Sequence, residues 1–271
     1  MRVSRCGLLT LCALIFSTGC VRAPSPLHPH YTGSIGLPHR GMLRGGAMLP
    51  VRGEGFAWLP RAGREDRHWG LPRFVHAIEN AAISVERARP GGTLMVGDIS
   101  KQNGGLLLPH LSHRSGRDAD LLLYLTDLDG KPVESPGFLP VGTDGLAWDT
   151  DHKRWLRWDI ERQWLLAKAL LSDDSARIQW IFVHHAINAR LIEWARARAE
   201  PADLIVRAIE TFLEPHPGGA HDDHFHIRAA CAPEDQAVGC EPSGPARAWY
   251  DTTPSAALDA PAAATDGATE E

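Results

Sequence analysis

The chain has 271 residues, 44% of them hydrophobic, and a formal charge of -5. Without its compositionally atypical ends it keeps roughly 200 residues, enough for one sizeable core. Its acidic balance gives nucleic acid no electrostatic footing. The tryptophans, Trp148, Trp155, Trp158, Trp164 and Trp180 among them, are a large apolar supply. Most of these rings suit core or helix packing, with one or two left to line a substrate groove.

Arg2 and Arg5 precede an apolar run ending at Phe16, and Ser17-Thr-Gly-Cys20 follows with small residues. Residues 1–19 therefore read as a signal peptide of lipoprotein type, with Cys20 the residue that would carry lipid. Ser17 stands where such signals usually have a leucine, and the competing reading is an ordinary cleaved signal with a soluble periplasmic product. Either way the chain is exported. In an oxidising compartment the remaining pair, Cys231 and Cys240, reads as one disulfide. Residues 20–35, rich in Pro, His and Gly, read as a linker, residues 36–243 as one domain, and residues 244–271, dominated by Ala, Pro, Thr and Asp, as a disordered tail.

Inside the domain, Pro72 to Arg87 has the period of an amphipathic helix and Thr93 to Val96 that of a strand. Arg154 to Leu171 reads as a long helix ended by Ser-Asp-Asp. Arg177 to His184 is strand-like, with Ile178, Trp180 and Phe182 alternating. Helices from about Asn188 and from Pro201, a proline suited to a first turn, precede the last strand. The order implies an α+β single domain with a small, largely antiparallel sheet flanked by helices.

Two clusters carry chemistry. The first, His110-Leu-Ser-His113-x6-Asp120, follows the loop-like Gly104-Gly105-Leu-Leu-Leu-Pro109. Gly116 permits a turn that swings Asp120 toward the histidines, and the apolar run after Asp120 anchors that carboxylate on a sheet. The second, His221-Asp-Asp-His224-Phe-His226, follows a Pro/Gly loop. In a strand, His224 and His226 share one face while Phe225 and Ile227 take the other. His113, Asp120 and His226 make a ligand set suited to zinc, and two imidazoles with one carboxylate leave a fourth position open, as in catalytic sites.

Simpler readings win elsewhere. Taken singly, His152, His184 and His185 read as ordinary surface or core residues. Asp222 and Asp223 suit turn positions or partners that orient imidazole N–H groups. Asp127-Leu-Asp129-Gly130 lacks the later carboxylates of a calcium loop and reads as a solvated turn. Ser112 has no Gly-x-Ser-x-Gly surroundings, and no His-Glu-x-x-His helix is present.

Gly97-Asp98-Ile-Ser100, Gly104-Gly105, His110-x-Ser-His113-x2-Gly116-x-Asp118-x-Asp120 and His221-Asp-Asp-His-Phe-His226, in that order, resemble the penicillin-insensitive murein endopeptidases. That family lies in a wider group of zinc peptidases with the lysostaphin-type and D-Ala-D-Ala enzymes, and the likeness runs from about Tyr31 to Cys240. It implies a zinc endopeptidase that cuts peptidoglycan cross-links, chiefly the D-alanyl to meso-diaminopimelyl bond, in the periplasm. By the same resemblance His113, Asp120 and His226 are the zinc ligands and His221 and His224 the essential histidines that do not bind metal. His110 matches a histidine that is either a further ligand or a support for one. Asp149 and His152 match a pair assigned to a second metal, and a disulfide falls at Cys231 and Cys240.

In this reading His224 is the general base and His221 steadies the oxyanion or protonates the leaving amine. The other readings are a D-Ala-D-Ala carboxypeptidase of the same group and a non-catalytic peptidoglycan-binding lipoprotein. A pure binder needs ligands but no unbound imidazoles, so His221 and His224 favour the enzyme.

Overall fold

A computed structural model describes residues 31–60, 65–215 and 221–250. The chain opens on a hairpin of β1 (Gly33–Leu37) and β2 (Arg40–Arg44), followed by β3 (Ala47–Met48), β4 (Arg52–Gly53), β5 (Phe56–Trp58) and β6 (Trp69–Gly70). Helix α1 (Pro72–Ala88) begins on a proline, whose fixed φ suits a first turn, and buries Phe74, Val75, Ile78, Ala81, Ala82 and Val85. Then come β7 (Leu94–Val96) and β8 (Asp118–Leu122), both buried along their length.

Next, β9 (Leu125–Thr126), β10 (Pro132–Val133), β11 (Leu146–Asp149) and β12 (Arg154–Trp158) form a separate antiparallel sheet in the order β10-β9-β12-β11. The last strand corrects the sequence reading, which runs one helix from Arg154 to Leu171. Trp155 and Arg157 are exposed while Leu156 and Trp158 are buried, a period of two that a helix does not satisfy. Helix α2 (Ile160–Ser172) starts only after Asp159, whose carboxylate accepts the Arg162 backbone N–H as an N-cap. Strand β13 (Ile178–Phe182), helices α3 (His185–Ala197) and α4 (Ala202–Thr211), strands β14 (Phe212–Leu213) and β15 (His224–Ala229), and helix α5 (Pro233–Ala237) complete the order.

The main sheet runs β14-β13-β15-β8-β7-β5-β4. The pairs β14·β13 and β7·β5 are parallel and the other pairs antiparallel, and β15 and β8 lie side by side in its middle. Phe74, Ile78, Trp164, Leu166 and Leu170 pack helices α1 and α2 into the core, and Leu121, Phe225 and Ile227 are fully buried in it from the sheet.

Both domain edges lie further out than composition suggests. Strand β1 starts at Gly33, inside the expected linker, because its backbone pairs with β2 and Gly36 N–H bonds Gly239 O at 2.8 Å. Residues 244–250, placed by composition in the tail, pack on the body. Gln179 Nε2 donates to Pro245 O at 2.9 Å, Arg247 Nη2 donates to Gln179 O at 3.1 Å, and Tyr250 is buried. The aromatic Trp249 and Tyr250 supply anchors that the Ala/Thr-rich remainder lacks. The signal segment, Cys20 and residues 251–271 lie outside the described residues. Among those described, no helix is long and apolar enough to cross a membrane.

Cys231 and Cys240 are bonded, with Cα atoms 6.0 Å apart. Beneath them lies Arg117, fully buried, with Nη1 3.2 Å from Cys231 Sγ and Nη2 donating to Gly36 O at 3.1 Å. One guanidinium thus joins the β1 strand, the disulfide loop and the residue preceding β8.

Candidate metal centre

The β15–β8 register sets the site. His226 stands opposite Asp120, and Arg228 opposite Asp118. Directly paired residues project from the same side of a sheet, so these four share one face with His224. Phe225 and Ile227 occupy the other face with no exposure, each contributing about 1.5–3 kcal/mol by burial. Strand β15 thus has one face of His224, His226 and Arg228 and a packing face of Phe225 and Ile227.

Asp120 is pinned through its backbone, its N–H bonded to Asp98 O at 2.9 Å and its carbonyl accepting Gly97 N–H at 2.8 Å. A Cβ on Gly97 would stand 3.2 Å from the Asp120 Cβ and 2.9 Å from the Phe138 ring, so glycine is needed for this close approach. His113 reaches the carboxylate from a loop with φ 61°, a left-handed conformation that costs a non-glycine residue energy and is characteristic of functional positions. His221 has φ 48°.

Around Asp120 Oδ1 lie His113 Nε2 at 3.3 Å, His224 Nε2 at 3.4 Å and His226 Nδ1 at 3.8 Å. His110 Nδ1 lies 3.7 Å from the other carboxylate oxygen. Each ring is held from behind. His113 Nδ1 is 2.8 Å from Ile99 O, which fixes a proton there and turns Nε2 to Asp120; burial opposes charge on this ring, yet Asp120 pushes its pKa up, and a cation would take the place of the Nε2 proton. His226 Nε2 is 2.8 Å from Asp118 Oδ1, His110 Nε2 is 2.7 Å from Asp98 Oδ2, and His224 Nδ1 bonds Asp223. The His221 ring centroid is 4.9 Å from that of His224 and 5.6 Å from that of His226. The five site histidines and Asp120 are therefore together.

The donor set fits a divalent cation. His113 Nε2 and both Asp120 oxygens are buried without a hydrogen-bond partner, an arrangement a protein seldom tolerates unless another group completes it. His110, His113 and Asp120 form one group of converging ligand atoms, and His221, His224 and His226 another. Electrostatics agree. Burial opposes charge on Asp120, yet His113 and His224 hold its carboxyl well below the usual range. Burial likewise opposes the His224 imidazolium, but Asp120 and Asp223 push its pKa up to about 10. Burial brings His226 down to about 4, which keeps it neutral, as a ligand imidazole is. The carboxylate is held ionised by positive charge that a metal ion can supply.

Asp149 and His152 are placed differently. They lie at the β11 end of the second sheet, where Asp149 Oδ2 is 2.8 Å from His152 Nδ1 and accepts Arg154 Nε at 3.0 Å. Among the described residues they join none of the converging groups, the third of which is His184, His185 and Glu214.

Sequence reasoning assigned no role to Asp118, Asp98, Arg67 and Arg228. Asp118 accepts Arg228 Nε at 2.6 Å as well as His226, and Asp98 accepts Arg67 Nη1 at 2.7 Å as well as His110. The available signal was spacing. Asp118-x-Asp120 and His226-x-Arg228 each repeat at two residues, so a carboxylate and its partner recur on one face.

A buried carboxylate ringed by back-bonded imidazoles at the centre of a mixed sheet defines a metallopeptidase-type centre. The chain belongs to the penicillin-insensitive murein endopeptidase family, whose model matches residues 34–251. It is 28% identical over 236 residues to the penicillin-insensitive murein endopeptidase of Haemophilus influenzae, which covers 83% of this chain and 72% of the relative. It is 27% identical over 209 residues to the proteins of the same name from Salmonella paratyphi C and Salmonella typhi, covering 77% of this chain and 69% of each relative. The chain is thus a peptidoglycan hydrolase.

Proposed function

We propose that the chain is a zinc-dependent endopeptidase that hydrolyses the D-alanyl to meso-diaminopimelyl cross-link of periplasmic peptidoglycan, after export by residues 1–19 and with lipid attached at Cys20. One observation carries the reading: Asp120, buried with both oxygens lacking hydrogen-bond partners, has four imidazole nitrogens directed at it. His113 Nε2, Asp120 and His226 Nδ1 would hold the ion, with His110 Nδ1 beside them. When bound, zinc supplies Lewis acidity toward the scissile carbonyl and lowers the pKa of water to about 7.

The chain's own groups supply the proton transfers. His224 is anchored through Nδ1 to Asp223, which fixes its tautomer; a cation held at Asp120 would offset the carboxylate charge that raises this imidazole's pKa, leaving Nε2 the atom that takes a proton. His221, beside it, is placed to protonate the leaving amine. Phe138, edge-on to His224 with centroids 5.1 Å apart, shields that imidazole from water. Asp149 and His152 stay outside this reading, because Arg154 occupies the carboxylate that a second metal would need.

The test is incubation of purified protein with defined cross-linked muropeptide dimers, with and without chelator. Monomers released only in the metal-replete sample are the expected result. Release of terminal D-alanine alone would make it a carboxypeptidase, and no cleavage with tight binding would make it a binding protein.

A further inference from the structure

The His221–Asp223 loop has two sides. One presents rings to the metal centre; the other closes a cavity of about 190 Å³ lined by Val141, Trp158, His184, Ile187, Arg190 and Asp222 among others. Backbone bonds fix the loop between the two, with Val141 N–H donating to Asp222 O and His184 N–H to His221 O, each at 2.9 Å. The cavity therefore shares a wall with the catalytic histidines.

Arg190 enters it from α3 with its guanidinium already placed. Its Nη1 donates to Thr143 O at 2.9 Å, and its Cζ lies 5.8 Å from the Trp158 ring centroid. Gly145, at φ 82°, makes room, since a Cβ there would stand 3.2 Å from Nη1. Among the described residues no carboxylate pairs with this guanidinium, although Asp222 lines the same cavity. The volume lies below the roughly 300–1,000 Å³ of sites for whole small molecules, so it suits one amino-acid unit and not a disaccharide.

We propose that this cavity seats the amino-acid end of a stem peptide next to the cross-link. The carboxylate lies on Arg190, a hydrogen on nitrogen faces Asp222, and the aliphatic chain packs on Val141, Ile187 and Trp158. A guanidinium is the group that recognises a carboxylate bidentately, and a neighbouring acid selects against a simple dianion. This inference rests on the endopeptidase reading. In a cross-linked dimer the carboxylate has two sources, the diaminopimelyl residue whose amine forms the cross-link and the end of a stem peptide.

The experiment uses three dimers: unmodified, amidated at the diaminopimelyl carboxylate, and amidated at the stem-peptide terminus. Binding to metal-free protein is measured by calorimetry, and cleavage by the metal-loaded enzyme as kcat and KM. Amidation at the correct source weakens binding and raises KM by about 10- to 100-fold with kcat nearly kept, the loss of one charge-assisted contact. Arg190→Gln brings the unmodified dimer to that same level and is indifferent to the amide, while Arg190→Lys recovers part of the loss. If both amides bind the wild-type protein as well as the unmodified dimer, the proposal is wrong, and this holds even where Arg190→Gln fails to fold. An equal loss by Arg190→Gln on all three dimers also overturns it. Wild-type protein that cleaves none of the dimers removes the endopeptidase reading as well; wild-type protein that cleaves all three alike removes only this seat.

Discussion

His226 Nε2 stands 2.8 Å from Asp118 Oδ1, and this contact decides which nitrogen of the ring faces the candidate metal site. With Nε2 committed, Nδ1 is the atom turned to Asp120. Asp118 is itself buried, which alone would raise its pKa, but Arg228 and His226 hold it well below the ordinary carboxylate range. It stays an acceptor across the whole working pH range.

Asp118→Asn tests that assignment. It keeps the size of the side chain but removes the charge that orients the imidazole and pairs with Arg228. Zinc affinity, read by competition with a chromophoric chelator, should fall about 10- to 100-fold, with peptidase activity falling in parallel. Unchanged affinity would mean that the His226 tautomer is set elsewhere.

Metal removal should change stability as well as activity. A cation at this site would satisfy three buried polar atoms, and so would bind the folded state and not the unfolded one. Stripping with chelator should lower the melting temperature, and zinc at about 100 times its Kd should restore roughly 2.7 kcal/mol. A melting temperature indifferent to zinc would contradict the ligand assignment.

His224 and His113 should separate cleanly. His224→Ala should keep one equivalent of zinc and lose about 10²- to 10⁴-fold in kcat, the usual range for a general base. His113→Ala should lose the metal and the activity together. Metal analysis of each purified variant beside its rate makes the comparison.

His68 gives a pH prediction. It stacks on Trp58 with centroids 3.8 Å apart, and burial pushes its pKa from 6.5 down to about 4. The unfolded chain binds that proton more readily, so this contribution to stability is full above about pH 6.5 and is lost as pH falls toward 4. The unfolding free energy of the metal-free protein, from urea titrations at pH 7 and 4.5, should change by less in His68→Gln than in wild type, by on the order of 2 kcal/mol.

Replacing both Cys231 and Cys240 by serine should cost about 2–4 kcal/mol, since the bond constrains the unfolded chain and Arg117 loses a buried neighbour. Denaturant midpoints of the oxidised wild type and the double variant measure it.

How much of this was legible depended on periodicity. The alternation of His224, Phe225, His226 and Ile227 announced both the strand and its two faces, and α1 was visible from its apolar spacing. Arg154–Trp158 was not, because Trp155 and Trp158, three residues apart, fit a helix stripe nearly as well as a strand until the partners β9 and β11 are known. The convergence of His113, Asp120 and His226 followed from residue type, whereas Asp98 and Asp118 as their supports depended on cross-strand register, which a linear pattern does not record. The packing of residues 244–250 depended on two aromatic rings finding a surface built by distant segments.

Arg117 has a consequence beyond stability. Strand β8 carries Asp118 and Asp120, and the guanidinium one residue before it rests on a disulfide sulfur, so the bond between Cys231 and Cys240 braces the strand from which both carboxylates project.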